Sequence, residues 1–376
     1  MLDVYLSTLG VAVGLGLAAT LALLVASPAA RLARAFPAAR GVAEQPRWGG
    51  AVILFAFALT PYIVSAFSDR AADLFAPKSG EFLAFLGACF LIFAIGFLDD
   101  LRVLPWQPKL LAQIGAAVAV YAAGYRIDEV GLPWGPEIPL GYVAPVATVL
   151  WVVFFTNAIN LIDGRDGVAA GVAVLAAATM AHVAASAGHP TVALLFVAVA
   201  GAGLGLLPFN LPPASAYLGD SGALLLGFLL GSLSIRAATG VTDVVFVAVP
   251  IVALGFPILD TLLAVVRRLL DHRHPLLGDQ DHIHHRLEVA GFGPRGLLII
   301  AYAISALFSL AAILLHRVHV FALEATVLLA TLLLVAVILA KLGYVLSLWN
   351  SASMVWLRRR LRWVTEPATA LDDQDG

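Results

Sequence analysis

The feature that most constrains this chain is a succession of apolar segments, each about as long as a membrane is thick. A helix needs about 20 mostly apolar residues to cross roughly 30 Å of hydrocarbon. Because hydrocarbon offers no partners to backbone polar groups, such segments are expected to be helices. The predicted fold is an all-α polytopic membrane protein with about 11 transmembrane helices. The segments lie near 4–27, 49–66, 81–98, 109–124, 143–157, 168–186, 191–208, 223–235, 243–266, 297–315 and 320–349.

Composition agrees with this class and excludes others. The chain is 61% apolar and 12% charged, whereas soluble domains average about 45–50% and about 25%. With 22 Lys and Arg against 24 Asp and Glu, no basic surface for nucleic acid is expected. The single cysteine, Cys89, excludes an intramolecular disulfide. The first residues lack a basic region, so the first span is expected to be retained.

The distribution of positive charge predicts the orientation. With eleven spans, sixteen Arg and Lys residues share a face with the C-terminus and five lie on the other face. The positive-inside rule makes the first face cytoplasmic and places the N-terminus outside. The predicted organisation is one catalytic transmembrane domain over 1–349, with a cytoplasmic His-rich loop at 267–296, and a cytoplasmic tail at 350–376 that is basic and then acidic.

Four polar segments fall on the predicted cytoplasmic face. They are GFLDD at 96–100, NAINLIDGRDG at 157–167, GDSG at 219–222, and a stretch ending in DHIHHR at 281–286. Acidic residues at or near span ends on this face are Asp99, Asp100, Asp163, Asp166, Asp220 and Asp260. Converging carboxylates repel one another unless a cation is present. Mg²⁺, which takes oxygen ligands and shares itself with substrate phosphates, is the predicted cofactor.

The NAINLIDGRDG segment has a three-residue rhythm. Asn157, Asn160, Asp163 and Asp166 recur at steps that would line one side of a helical or 3₁₀ turn. The GDSG segment could cap the span that follows it, or supply backbone N–H groups to a phosphate. Both segments are therefore candidates for binding a phosphorylated ligand.

Basic and imidazole side chains complete the candidate site. His282, His284 and His285, with Arg286, offer donors for a diphosphate. The same histidines could instead be zinc ligands. Lys109, downstream of GFLDD, could neutralise a carboxylate or extend from its helix to the membrane interface.

Taken together, these segments resemble the polyprenyl-phosphate N-acetylhexosamine-1-phosphate transferases, integral membrane enzymes of bacterial envelope glycan synthesis. The matching pieces are GFLDD with the downstream Lys109, NAINLIDGRDGVAAG, GDSGALLLG, PILDT at 257–261, and DHIHHRL, and they cover roughly 40–295 in order. The histidine segment is more similar to the undecaprenyl-phosphate N-acetylglucosamine-1-phosphate transferase branch than to the muramoyl-pentapeptide branch. The segment at 40–50 departs from the family pattern and keeps only Pro46, Arg47, Gly49 and Gly50.

The resemblance implies an activity. Members transfer a sugar-1-phosphate from a UDP-sugar, here a UDP-N-acetylhexosamine, to undecaprenyl phosphate and release UMP. It implies a multi-pass protein of the bacterial inner (plasma) membrane, in contact with membrane lipid, whose active site faces the cytoplasm. A homodimer and a monomer are both open.

The resemblance also implies residue roles. Asp220 would be the Mg²⁺ ligand. The remaining catalytic residues would be Asp99, Asp100, Lys109, Asp163, Asp166 and His284. The substrate-binding residues would be Asn157, Asn160, His282, His285 and Arg286.

Two other classes are alternatives. A secondary transporter would place its acids at mid-membrane in broken helices, often within an inverted repeat. A zinc-dependent membrane hydrolase would draw a full ligand set from the histidine-rich loop.

Overall fold

The computed structural model describes residues 1–26, 47–75, 79–130, 138–238, 245–270, 287–288, 291–317 and 321–341. These residues are mostly helical. A two-residue antiparallel ladder, β1 (Glu129–Val130) with β2 (Ile138–Pro139), is the exception to the all-helical prediction, and it lies in a loop. The helices are α1 (Leu2–Ala26), α2 (Gly49–Phe67), α3 (Asp69–Phe75), α4 (Ser79–Leu101), α5 (Trp106–Ala122), α6 (Ala144–Leu161, after a 3₁₀ turn at Gly141–Val143), α7 (Val168–Ser186), α8 (Pro190–Asn210), α9 (Gly219–Ala238), α10 (Val245–Ala253), α11 (Gly255–Leu270), α12 (Pro294–Arg317) and α13 (Phe321–Lys341).

Eight of the described helices are long and apolar enough to cross a membrane, by length and composition alone. They are α1, α2, α4, α6, α7, α8, α9 and α12. The protein is therefore a polytopic membrane protein. Eleven spans were predicted; of the other three, one coincides with the 17-residue α5, one is divided between α10 and α11, and one coincides with α13.

α9 is the central helix of the described bundle. It packs against α2, α4, α6, α7 and α8. In its membrane-length apolar stretch, 89% of the residues are buried. Small residues allow this packing, since a Cβ atom at Gly227 would lie 2.6 Å from the carbonyl oxygen of Phe155. The short span predicted at 223–235 is longer in the structure, because the GDSG segment is already helical.

The predicted span at 243–266 is two helices. Pro250 lies inside α10 and removes one backbone N–H from the helical ladder. At the start of α11, a Cβ atom on Gly255 would lie 2.4 Å from the ring of Phe308. Uniform hydropathy had predicted one continuous helix, but the proline and the close contact with α12 accompany a break at Leu254.

Several helix ends lie together at one end of the bundle. At this end α2 and α9 begin, while α4, α6 and α8 end, and these termini surround one polar pocket. Most of the apolar core between the described helices is one large cluster that runs from Leu24 to Val335, and a smaller one surrounds Val4 and Leu194. Several threonines within spans bond to their own helix, as Thr156 does when its hydroxyl donates to the carbonyl of Val152 (2.7 Å).

Candidate active site

The polar pocket at this end of the bundle has a volume of about 270 Å³. It is lined by Arg47, Asp100, Asp163, Gly164, Arg165, Asp166, Asn210, Tyr217, Leu218, Gly219 and Asp220. Four of these residues are aspartates and two are arginines. The pocket therefore brings together carboxylates from α4, from the loop after α6 and from α9.

Asp100 caps α9, although it belongs to α4. Its Oδ1 accepts a hydrogen bond from the backbone N–H of Asp220 (2.9 Å), and its Oδ2 accepts one from the N–H of Ser221 (3.0 Å). The first N–H groups of a helix have no partner within it, and a carboxylate there also interacts favourably with the helix dipole. These two N–H groups therefore bind a carboxylate of the protein, and phosphate binding by the GDSG segment stays a prediction.

Glycines let the first turn of α9 approach its neighbours. A Cβ atom would lie 2.6 Å from the Ser221 side chain if added at Gly50, and 2.5 Å from the Ser221 Cα if added at Gly96. Gly219 has a φ of +73°, and its Cβ atom would lie 2.6 Å from Oδ2 of Asp100. The glycines of the polar segments therefore permit the close packing that holds the carboxylates in place.

Substitution of Gly96 tests this packing. We expect Gly96→Ala to lower the free energy of unfolding by about 1–3 kcal/mol, because the new methyl group meets backbone that cannot move aside. Gly87→Ala on the same helix is the matched control, since a Cβ atom there meets nothing within 4 Å. The thermal unfolding temperature of purified protein in detergent measures both. Equal unfolding temperatures for the two variants would contradict the packing argument.

Lys109 bridges two carboxylates. Its Nζ donates to Oδ2 of Asp99 (2.8 Å) and to Oδ2 of Asp220 (3.2 Å). Asp99 also accepts the backbone N–H of Leu104 through Oδ1 (2.6 Å). The Asp99 side chain is only 8% exposed and that of Lys109 23%, so solvent screens their attraction less than at an open surface. The two acids of GFLDD thus have different partners, Lys109 for the first and α9 for the second.

Asp163 and Asp166 lie in the loop between α6 and α7. The Oδ2 of Asp166 accepts the backbone N–H of Ala214 (3.1 Å). Burial raises the pKa of the Asp163 carboxyl well above its usual range, and the neighbouring carboxylates add to the rise. A bound cation would reverse this effect on the pKa, because it favours the charged carboxylate.

Asn210 and Tyr302, which the sequence analysis did not identify, form hydrogen bonds that hold the loop between α6 and α7 in place. Asn210 accepts the N–H of Gly167 through Oδ1 (3.1 Å) and donates through Nδ2 to the carbonyl of Ala216 (3.0 Å). The Tyr302 hydroxyl donates to the carbonyl of Gly167 (2.7 Å), and its ring fills the space that a Cβ on Gly171 would need. A polar residue ending an apolar span could have pointed to Asn210. Nothing in the sequence distinguishes Tyr302 from an ordinary aromatic residue of a membrane helix.

The predicted amides lie away from the pocket. Asn157 donates through Nδ2 to Oε1 of Gln113 (2.6 Å) and accepts from Nε2 of Gln113 (3.4 Å), which joins α6 to α5. Asn160 lies in the last turn of α6, and neither amide is among the described residues that line the pocket. The three-residue rhythm therefore does not define one face, because the helix ends at Leu161. Asp260 lies inside α11, is 1% exposed, and is not among those lining residues either.

The histidine-rich segment lies outside the described residues, so its roles stay predictions. Its predicted site residues are His282, His284, His285 and Arg286. The next described residues are Leu287, which is fully buried, and Glu288, which forms an ion pair with Arg165 of the pocket. Leu287 and Glu288, which follow the histidines in the chain, therefore lie beside the loop that carries Asp163 and Asp166.

The atypical segment at 40–50 retains one residue that lines the pocket and two glycines that pack at the start of α9. Arg47 lines it. A Cβ atom at Gly49 would lie 2.6 Å from the Cα of Leu218, and one at Gly50 would lie 2.6 Å from the side chain of Ser221 in the first turn of α9. Residues 40–46 lie outside the described ranges. Of the retained residues that the structure describes, Arg47 thus supplies a positive charge, and Gly49 and Gly50 allow close packing at the start of α9.

The donor set fits Mg²⁺ shared with a substrate. Among the described residues, no group of three or more His, Cys, Asp or Glu side chains is arranged to hold a metal ion by itself. The carboxylates of Asp163, Asp166 and Asp220 nevertheless line the same pocket. Mg²⁺ usually takes one or two carboxylates and completes its shell with water and substrate phosphates. A catalytic zinc site, in contrast, usually takes three protein ligands that include His.

Comparison with known proteins shows which enzymes the chain is similar to. The family model for glycosyl transferase family 4 matches residues 82–238. The chain is 36% identical over 227 residues to a probable undecaprenyl-phosphate N-acetylglucosaminyl 1-phosphate transferase of Bacillus subtilis, covering 60% of this chain and 63% of that protein. Residues 82–238 are therefore similar to glycosyl transferase family 4, and the chain is similar to the polyprenyl-phosphate sugar-1-phosphate transferases.

Two further relatives agree. A decaprenyl-phosphate N-acetylglucosaminephosphotransferase of Mycolicibacterium smegmatis is 34% identical over 194 residues, which cover 44% of this chain and 48% of that protein. A phospho-N-acetylmuramoyl-pentapeptide-transferase of Staphylococcus epidermidis is 30% identical over 159 residues, covering 42% of this chain and 47% of that protein. The matched part of this chain thus spans about half to somewhat less than two thirds of these relatives' length.

Proposed function

We propose that the protein transfers an N-acetylhexosamine-1-phosphate from a UDP-sugar to undecaprenyl phosphate and releases UMP. One observation carries the proposal: three separate family segments contribute carboxylates to one pocket, beside Arg47 and Arg165. The relatives act, by their names, on undecaprenyl or decaprenyl phosphate. In this reaction an oxygen of the lipid phosphate attacks the β-phosphorus of the donor. The bond to the bridging oxygen breaks, and UMP leaves with its electron pair.

The protein side chains divide the work of this reaction. Both reactants are anionic, so Arg47 and Arg165 would pair with phosphate oxygens and reduce their repulsion. Asp220, with Asp163 or Asp166, would hold Mg²⁺. When bound, Mg²⁺ would stabilise the negative charge that develops on the departing UMP. Lys109 holds Asp220 by an ion pair and thereby keeps its carboxylate in a defined direction.

The surroundings of the pocket suit a lipid acceptor. Apolar side chains at the same end of α4 and just beyond it are exposed, with Leu98 at 53%, Leu101 at 63% and Val103 at 95%. In a bilayer these side chains would contact hydrocarbon, so a polyprenyl chain can lie against them while its phosphate reaches the pocket. By the positive-inside rule we place this end on the cytoplasmic side of the inner membrane, where UDP-sugars are made.

The transporter alternative is less well supported. The four aspartates of the pocket lie where helices begin or end, and not at mid-span. A transport site would need acids near the bilayer midplane. The hydrolase alternative depends on histidines outside the described ranges, and a metal test separates it from the transferase.

We expect activity lost on chelation to return with Mg²⁺ and not with Zn²⁺ alone. Carboxylate oxygens that share a cation with a diphosphate favour the harder ion, whereas a hydrolase with histidine ligands would favour zinc. The measurement is UMP release by EDTA-treated membranes after each metal is added back. Restoration by Zn²⁺ alone would favour the hydrolase.

The function itself is tested by donor and acceptor requirements. Purified protein is incubated with Mg²⁺, undecaprenyl phosphate and a panel of UDP-sugars, and UMP is measured. We expect release that depends on undecaprenyl phosphate and is highest for a UDP-N-acetylhexosamine. Release that is equal without the lipid would contradict the proposal.

A further inference from the structure

Asp100 is engaged with the protein itself. Both of its carboxylate oxygens accept backbone N–H groups from the first turn of α9, at 2.9 and 3.0 Å. The two residues whose N–H groups it accepts lie 120 and 121 positions after Asp100 in the chain. A cap supplied by another helix fixes how the two helices lie relative to each other, as well as satisfying the helix end.

The contact is reinforced one turn earlier on α4. Gly96 lies four residues before Asp100, so the two share a face of the helix. Gly96 packs on the backbone of Ser221, while Gly219 leaves room for the Asp100 oxygens through its missing Cβ and its left-handed φ of +73°. Two successive turns of α4 therefore hold the start of α9.

Between these contacts lies Asp220, whose backbone N–H binds Asp100 and whose side chain lines the pocket. The direction of the Asp220 carboxylate depends on where this first turn lies. Both oxygens of Asp100 already accept N–H groups of α9, and the negative charge of Asp100 would repel an anionic lipid phosphate. Asp99 is likewise engaged, with Lys109 and the N–H of Leu104.

We propose that Asp100 is a positioning residue: it acts through the first turn of α9 to aim the Asp220 carboxylate at the metal, and it neither binds nor deprotonates the lipid phosphate. This inference rests on the proposed function, in which Asp220 holds Mg²⁺. Asp100→Asn is the informative variant, because the amide keeps the size of the side chain but can accept only one of the two N–H groups.

Two measurements test the proposal. The first is the Kd for Mn²⁺, from electron paramagnetic resonance of the free ion, without substrate. We expect Asp100→Asn to raise it about tenfold, the size of effect expected from the loss of one charged cap. The second is kinetic: we expect the Mg²⁺ concentration for half-maximal UMP release to rise by a similar factor, while the KM for undecaprenyl phosphate stays within about twofold.

A second variant leaves every carboxylate in place. Gly219→Ala pushes a methyl group against the Asp100 oxygens, so it should weaken Mn²⁺ binding in the same way. An unchanged Kd for Mn²⁺ in both variants would overturn the proposal, as would a large rise in the KM for undecaprenyl phosphate with an unchanged metal requirement in Asp100→Asn. Wild-type protein without UMP release would instead contradict the proposed function, and the Mn²⁺ measurement would still report on Asp100.

Discussion

Asp220→Asn is expected to reduce the rate of UMP release by about 10³-fold or more, with the protein still folded and inserted. The amide keeps the shape of the side chain, and its oxygen can still accept a hydrogen bond from Lys109. It lacks the charge that would hold a divalent cation between protein and diphosphate. The effect should therefore fall on turnover and on metal binding, and only weakly on stability.

The matched control for this variant is Asp73→Asn. Asp73 is an exposed aspartate on α3 and is not among the described residues that line the pocket. The same change of charge there should leave UMP release unaltered. Size-exclusion chromatography in detergent checks that both variants are folded. Wild-type turnover in Asp220→Asn would remove this residue from the metal site.

Lys109→Met is expected to lower UMP release by about 100-fold and to destabilise the protein. Removal of the ammonium group leaves the Asp99 carboxylate, which is only 8% exposed, without its ion pair. Loss of a charged hydrogen-bond partner at a partly buried site costs about 1–3 kcal/mol. The Asp220 carboxylate also loses the contact that orients it.

Lys341→Met supplies the control for this second variant. Lys341 is exposed in the last turn of α13, so its loss removes one positive charge from a position outside the pocket. We expect unchanged turnover and an unchanged unfolding temperature. If Lys109→Met behaved like this control, the bridge between the two carboxylates would have no role in either stability or turnover.

Much of this architecture follows from local properties of the sequence. Span length and apolar composition predicted helices wherever the eight long ones lie, because backbone groups in hydrocarbon have no other partners. Successive loops alternate between the two faces of the membrane, and this alternation predicted that GFLDD, NAINLIDGRDG and GDSG share one end. The pocket contains aspartates from all three segments.

What the sequence did not indicate depends on packing between distant helices. An asparagine at the end of a span has the same pattern whether it faces a ligand or a neighbouring helix, so the hydrogen bond from Asn157 to Gln113 could not be predicted. The cap that Asp100 gives α9 joins residues 120 positions apart, and no local pattern encodes such a pairing. α3 is seven residues long, too short for an apolar rhythm to be recognised.

The most direct test of the account follows the β-phosphorus of the donor. Purified protein is given undecaprenyl phosphate, Mg²⁺ and a UDP-N-acetylhexosamine labelled with ³²P at the β-phosphate, and the products are separated into lipid and water-soluble fractions. We expect the label to move to the lipid fraction in a one-to-one ratio with released UMP. Label that remains in UDP, or that appears as free sugar phosphate, would contradict the transfer of a sugar-1-phosphate.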